Sequence, residues 1–356
     1  MDSTQDVIAP KVSVLMLTYN HERFIAQAVE SVLAQETSFP IEIVVGEDCS
    51  TDRTREILLK LQQSHPGTIR LLFREKNLGP QKNYASTFAA CTGQYIAMLE
   101  GDDYWTNPKK LQKQVDALDA HPEWSVCFHI TRRVYDDGSK EPELYPANWT
   151  KEVATVHDLF QGNLFNTCSQ VFRNRLFGAL PSWLLEVEPG DWITNILNAD
   201  CGPVGCILEV MADYRIHSQG LWSSKGRAYQ LREILRALSR LDHHFQGKYR
   251  EPIDQYRINL VNSLVAEVES LTNHLSSVAA TKNNDSQIPD SAPTALMIDN
   301  AIPSISIETP DAIVTVFKTR SALAEIGRKM MRPMENSVRR ARRFISKSGQ
   351  HSQPEA

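Results

Sequence analysis

Hydrophobic and polar positions alternate in blocks along the first hundred residues. Val12 to Leu17 is a continuous apolar, β-branched run, the pattern of a strand buried on both faces of a sheet. His21 to Gln35 then places Phe24, Ala28, Val29 and Val32 at helical spacing. Ile41 to Val45 predicts a second buried strand, and Asp52 to Ser64 a helix that Ser50 or Thr51 would cap. Ile69 to Phe73 predicts a third strand, Asn77 to Pro80 a turn, Gln81 to Cys91 a helix, and Tyr95 to Leu99 a fourth strand. Strands alternating with helices imply a parallel sheet with right-handed crossovers. In such sheets ligands bind beyond the carboxyl ends of the strands. The polar loops Thr18-Tyr19-Asn20, Glu47-Asp48 and Glu100 to Asp103 all fall there and should converge on one crevice.

The second half is less regular. A helix is expected from Asn107-Pro108 through Leu118, a strand over Trp124 to Ile130, and a surface hairpin or loop over 131–152. Phe165 to Arg173 is expected to be a strand, with Leu176 and Phe177 on a short helix. Trp192 to Ala199 reads as a helix with Asp191 at its start, and Ile207 to Tyr214 as a strand. Tyr229 to Phe245 and Ile253 to Leu275 read as amphipathic helices, 276–310 as a flexible linker, and 311–350 as a basic amphipathic segment. The expected organisation is a tail (1–10), a main domain (11–225), a helical extension (226–275), the linker (276–310) and a basic tail (311–356).

Composition narrows the class. The 356 residues are 42% hydrophobic and 23% charged, ordinary for a globular protein. The net charge of −5 gives no general reason to expect nucleic acid as a partner. Cys49, Cys91, Cys127, Cys168, Cys201 and Cys206 form no Cys-x-x-Cys pair and read as reduced thiols, which points to a cytoplasmic setting. Met1 to Pro10 lacks an apolar core, so no secretory leader is expected, and no apolar run has transmembrane length. The tail carries Lys318, Arg320, Arg328, Lys329, Arg332, Arg339, Arg340, Arg342, Arg343 and Lys347 among apolar residues. It suits an anionic membrane surface or a partner, with a solvated basic helix as the plain alternative.

Glu100, Asp102 and Asp103 crowd the end of a buried strand. Carboxylates this close repel and raise one another's pKa. A hard divalent cation with oxygen ligands removes that cost. A solvated acidic turn is the alternative, and the convergence of loops counts against it.

The order Val14 to Asn20, Glu47 to Asp52, Asn77-Leu78-Gly79 to Asn83, then Glu100-Gly101-Asp102-Asp103 resembles the family 2 glycosyltransferases over roughly residues 10–225. The resemblance implies a GT-A fold: α/β, Rossmann-like, a mostly parallel central sheet flanked by helices, here with a C-terminal helical extension. It implies donor contacts from Thr18, Tyr19, Asn20, Glu47, Asp48, Lys82, Asn83, Glu100 and Gly101, with Asp48 reading the base. It implies Mg²⁺ or Mn²⁺ on Asp102, with Asp103 as a second choice and His217 touching metal or diphosphate. Asp191 matches the catalytic base of an inverting displacement, or else caps its helix. Glu47 and Cys49 stand where the family often has Asp and Gly, and Glu100 stands at the first Asp of the Asp-x-Asp element. Lys82 and Asn83 read alternatively as a polar helix face, Trp192 as an acceptor platform or core, and Arg215 as a phosphate contact or a structural pair.

The implied donor is a nucleotide-diphosphate sugar, with UDP-sugar expected. The implied acceptor is a glycan or lipid-linked hydroxyl in cell-surface polysaccharide synthesis, with the enzyme cytoplasmic and peripheral at the membrane. Two other readings compete. A sugar nucleotidyltransferase needs a Gly-rich basic loop after the first strand, which Thr18-Tyr19-Asn20-His21 does not supply. A non-catalytic glycan- or membrane-binding module would have no use for Asp102 and Asp191 together.

Overall fold

The computed structural model describes residues 9–264, 266 and 267. The linker 276–310 and the basic tail lie outside the described residues. One compact unit comprises the chain up to Lys225 together with Tyr229–Tyr256; 226–228 and the residues from 257 on are assigned to a second.

The four predicted strands form β1 (Val12–Thr18), β2 (Ile41–Glu47), β3 (Ile69–Phe73) and β4 (Tyr95–Glu100). All pair in parallel, in the order β3-β2-β1-β4. Helices α1 (Ile25–Leu33), α2 (Thr54–Ser64) and α3 (Pro80–Ala90) connect them. The apolar runs that marked these strands are their buried side chains: Val14, Met16, Ile43, Val45, Ala97 and Leu99 are 0% exposed. Burial of this apolar area is the main stabilisation of the sheet. The expected cap of α2 is corrected: the Thr54 N–H donates to Asp52 Oδ1 at 2.9 Å. Ser50 Oγ instead accepts from the Asn20 N–H, and the Thr51 N–H donates to Asn20 Oδ1, so both residues tie the first loop to the second.

Beyond β4 lie β5 (Tyr104–Trp105), α4 (Lys110–Ala120), β6 (Val126–Tyr135), β7 (Glu143–Tyr145) and β8 (Val153–Ala154). They are followed by the single-turn α5 (Val156–Leu159), β9 (Val171–Arg173), α6 (Gly190–Cys201), β10 (Val204–Ile216) and α7 (Arg227–His244). The sheet continues β4-β9-β6-β10-β5. The sheet is mostly parallel, as expected; β9 runs antiparallel to both β4 and β6, and β5, β7 and β8 also pair antiparallel. Residues 131–152 form the predicted hairpin, β6 against β7, turning at Gly138 with φ 67°.

The strand expected over Phe165 to Arg173 shrinks to its last three residues. Thr167–Ser169 is a 3-10 turn instead. The Asn166 and Thr167 side chains are hydrogen-bonded to Thr131 and Asp191, which favours local turns over a ladder. Leu176 and Phe177 lie in a turn at Arg175, whose φ is 58°, not on a helix. Past α7, 250–264 is helical.

Candidate active site

Three loops leave the carboxyl ends of β1, β2 and β4, as the strand pattern requires. The second loop is closed upon itself. Glu47 is 0% exposed; its Oε2 accepts from Arg55 Nε at 2.7 Å and its Oε1 from the Ser50 N–H at 2.5 Å. Asp48 accepts the Leu78 and Gly79 N–H groups, at 2.8 and 2.9 Å, one on each oxygen. Asp48 thereby fixes the Asn77-Leu78-Gly79 turn that opens α3. Asn83 donates to Gly46 O at 2.8 Å and accepts from Arg74 Nε at 3.1 Å. Expected donor contacts from Glu47 and Asn83 are corrected: their polar atoms are committed inside the fold. Lys82 and Tyr19 are exposed. Cys49, between these anchors, adopts φ 62°, the left-handed conformation that its family-typical Gly would take freely.

The third loop is electrostatically open. Glu100 has its carboxyl pushed well above the usual range by burial and by Asp103, Asp102 and Asp191. Asp103 is 1% exposed and is pushed up by burial and by Asp102. Its Oδ1 accepts the Arg215 N–H at 2.8 Å, and its buried Oδ2 has no partner. Asp102 goes the other way. Burial opposes its ionisation, but His21 and His217 hold its pKa down. His217 Nε2 lies 3.0 Å, and His21 Nε2 3.6 Å, from Asp102 Oδ2. Burial pushes the His21 pKa down, against the pull of Asp102. Gly101 permits this close approach, since a Cβ there would lie 2.7 Å from Thr18 Oγ1 and 2.9 Å from His21 Nδ1.

Arg215 is structural. Its guanidinium lies over Phe24 and Tyr104 and reaches Gln27 and the Asp102 carbonyl. Tyr104 and Trp105 pack the loop: the Tyr104 hydroxyl donates to Asp213, and Trp105 Nε1 donates to Cys168 O.

Asp191 is half-buried in the first turn of α6 and caps nothing. Its Oδ2 accepts from Asn163 Nδ2 at 3.0 Å and from Thr167 Oγ1 at 2.9 Å. The field of Asp191 reaches Glu100, and the Thr167 hydroxyl meets both. Trp192 is core, 2% exposed, with Nε1 donating to Leu159 O. Sequence reasoning missed His21, Asn163 and Thr167. His21 directly follows the Thr-Tyr-Asn motif, which was a signal; Asn163 and Thr167 sit in a stretch with no readable pattern.

The acid-rich end of β4 invites a divalent ion. Among the described residues no group of three or more His, Cys, Asp or Glu side chains is arranged to hold a metal alone. Asp102 and His217, with the unpartnered Asp103 oxygen behind them, fit an ion that takes few protein ligands and completes its shell with phosphate and water.

Residues 13–177 match the family model described as Glycosyl transferase family 2. An uncharacterized protein of Mycobacterium tuberculosis is 38% identical over 214 residues, spanning 60% of this chain and 61% of the relative. The chain thus spans about three fifths of that relative's length. TuaG of Bacillus subtilis, assigned to teichuronic acid biosynthesis as a glycosyltransferase, is 27% identical across 62% of this chain and 84% of its own. Two solved structures share the fold at a TM-score of 0.50. They are S. aureus TarS 1-349 with UDP-GlcNAc (18% identity, 73% of this chain, 81% of that one) and the Pyrobaculum calidifontis mannosyltransferase PcManGT with GDP-Man and Mn²⁺ (15%, 77% and 80%). With a mostly parallel sheet flanked by helices and these neighbours, the architecture is the GT-A fold. The four ordered motifs and the family match coincide on the same strands: over residues 13–177 this chain is similar to glycosyl transferase family 2.

Proposed function

We propose that the chain is an inverting, metal-dependent glycosyltransferase that moves a sugar from a nucleotide-diphosphate donor to an acceptor hydroxyl. The observation that carries this is the separation of two kinds of carboxylate beyond the same sheet. Asp102 is paired with imidazole, whereas Asp191 is held by two neutral donors. Asp102 and His217 would hold Mg²⁺ or Mn²⁺. Such an ion would supply positive charge against the negative charge that builds on the leaving diphosphate.

The chain's own residues do the rest. Thr18, Tyr19 and Asn20 end β1 beside the donor, and Asp48 braces the turn that faces the base. Asp191 takes the acceptor hydroxyl's proton as that oxygen bonds to the anomeric carbon. The bond from the anomeric carbon to the diphosphate oxygen breaks, and the nucleoside diphosphate leaves. One base and one displacement invert the anomeric centre.

The donor proposed is a UDP-sugar, in line with a structural neighbour solved with UDP-GlcNAc. The acceptor proposed is a glycan or lipid-linked hydroxyl in polysaccharide synthesis, in line with TuaG and with a Rhizobium meliloti succinoglycan biosynthesis protein 32% identical over 111 residues. No helix among the described residues is long and apolar enough to cross a membrane. Peripheral attachment through 311–350 is therefore the membrane contact proposed, and liposome pelleting of the full chain against a 1–310 truncation tests it. Equal pelleting removes it.

A panel of nucleotide sugars with Mn²⁺ and acceptor lysate, read by nucleoside diphosphate release, tests the activity. One donor is expected to turn over, and Asp102→Ala and Asp191→Asn each to abolish release. No release from any donor refutes the enzyme reading.

A further inference from the structure

We propose that Asn163 and Thr167 are positioning residues that clamp the base Asp191 by one oxygen and leave the other to the acceptor hydroxyl. The inference rests on Asp191 being the base. Its evidence is geometric. Both hydrogen bonds, Asn163 Nδ2 at 3.0 Å and Thr167 Oγ1 at 2.9 Å, land on Oδ2. A carboxylate held in this way has one oxygen fixed and the second free to accept a proton along a set direction.

The clamp is itself braced. The Tyr145 hydroxyl donates to the Asn163 carbonyl, and Asn166 Nδ2 donates to Thr131 Oγ1 at 2.7 Å. Thr131 Oγ1 in turn donates to Tyr145 O at 3.1 Å. The β6–β7 hairpin thereby grips the segment that carries both clamp residues. Trp192, the neighbour of Asp191, is anchored to Leu159 O at 2.8 Å. Asp191 is thus located from its helix and from the hairpin. Preorganisation of this kind raises turnover more than donor affinity, because both clamp bonds land on the base. Thr167 also stands between Asp191 and Glu100, which links the acceptor side of the site to the donor side. The β6–β7 hairpin therefore helps to aim the base.

The test uses the full chain with UDP-glucose, UDP-GlcNAc and GDP-mannose plus Mn²⁺. Nucleoside diphosphate release is followed with water as acceptor, beside Asp191→Asn. Thr167→Val and Asn163→Ala are each expected to lower kcat about 10- to 100-fold, with KM for the donor changed by less than about threefold. Thr167→Ser keeps the hydroxyl and is expected to keep kcat within about threefold, a rescue that loss of packing would not produce. Melting temperatures separate misfolding from misalignment. If Asp191→Asn abolishes release while Thr167→Val and Asn163→Ala keep the wild-type kcat, the clamp is refuted and the base stands. If Asp191→Asn keeps the wild-type rate, the base falls and the clamp with it. Equal loss in Thr167→Val and Thr167→Ser refutes the hydroxyl's role.

Discussion

The loops that follow β2 and β4 carry the same sequence signature, adjacent acids at the end of a buried parallel strand, and opposite electrostatics. After β2, Glu47 meets Arg55 and Ser50, and Asp48 meets two backbone N–H groups. After β4, Asp103 keeps a buried oxygen without a partner, and Glu100 and Asp103 are both pushed toward their protonated forms. The first pair is compensated from within and works as scaffold. The second is left short of positive charge, a deficit that the proposed divalent cation would relieve. Acidic residues at strand ends thus divide by who supplies the counter-charge, the fold or the ligand.

Substitutions can break this contrast. The largest effect is expected at Arg55. Arg55→Ala strands the fully buried Glu47 charge and should cost about 3 kcal/mol in urea unfolding, near the lower end for a broken buried pair because Arg55 itself is partly exposed. A loss under about 1 kcal/mol would mean that the loop after β2 is not held by this pair.

Lys110 sharpens the point from outside the site. It is 0% exposed over the Trp105 ring, its amine has no hydrogen-bond partner, and burial pushes its pKa down to about 7. Between that value and the ordinary 10.5, the folded chain holds fewer protons than the unfolded one. Wild-type stability therefore rises with pH across that window. Lys110→Met should stabilise by about 2 kcal/mol below pH 7, with the gain shrinking toward pH 10, measured by denaturation at both extremes.

Asp103→Asn should stabilise the metal-free protein by about 1 kcal/mol at pH 8. The folded Asp103 pKa is raised, so the wild type loses stability as pH rises from the ordinary carboxylate value, 3.8, through the folded one. The Asn variant lacks that loss, and the gain should vanish near pH 3. The equivalent change in the loop after β2, Glu47→Gln, is expected to destabilise instead. The smallest effect belongs to Cys49→Gly. It releases the left-handed strain at φ 62° but adds chain entropy to the unfolded state, for a net gain of about 0.5 kcal/mol in melting experiments.

Which parts were legible follows from the same physics. Val12 to Leu99 announced its strands because β1, β2 and β4 are largely buried on both faces and so mostly apolar, and the edge strand β3 still keeps an apolar run around exposed Arg70. β9 was read too long, and its antiparallel direction was not read, because only Val171–Arg173 pairs while polar Asn166 and Thr167 turn away to side-chain partners. Asp102, Asp191 and His217 were singled out by motif, and the fold sets His217 Nε2 3.0 Å from Asp102 Oδ2. What motif does not reveal is whether a polar atom is free. Glu47 and Asn83 looked like ligand contacts, but folding gives their polar atoms partners in Arg55, Arg74 and the Gly46 carbonyl, none of which the motifs include. His21, Asn163 and Thr167 entered the site only through folding, since their spacing from Asp102 and Asp191 carries no period.

The central claim is that the charge missing after β4 is supplied by a divalent ion held at Asp102. Calorimetric titration of UDP and of GDP into the protein, with and without Mn²⁺, tests it most directly. Binding of one nucleotide should need Mn²⁺ and weaken at least about 30-fold, about 2 kcal/mol, in Asp102→Ala. Equal affinity with and without Mn²⁺, or equal affinity in wild type and Asp102→Ala, would contradict it.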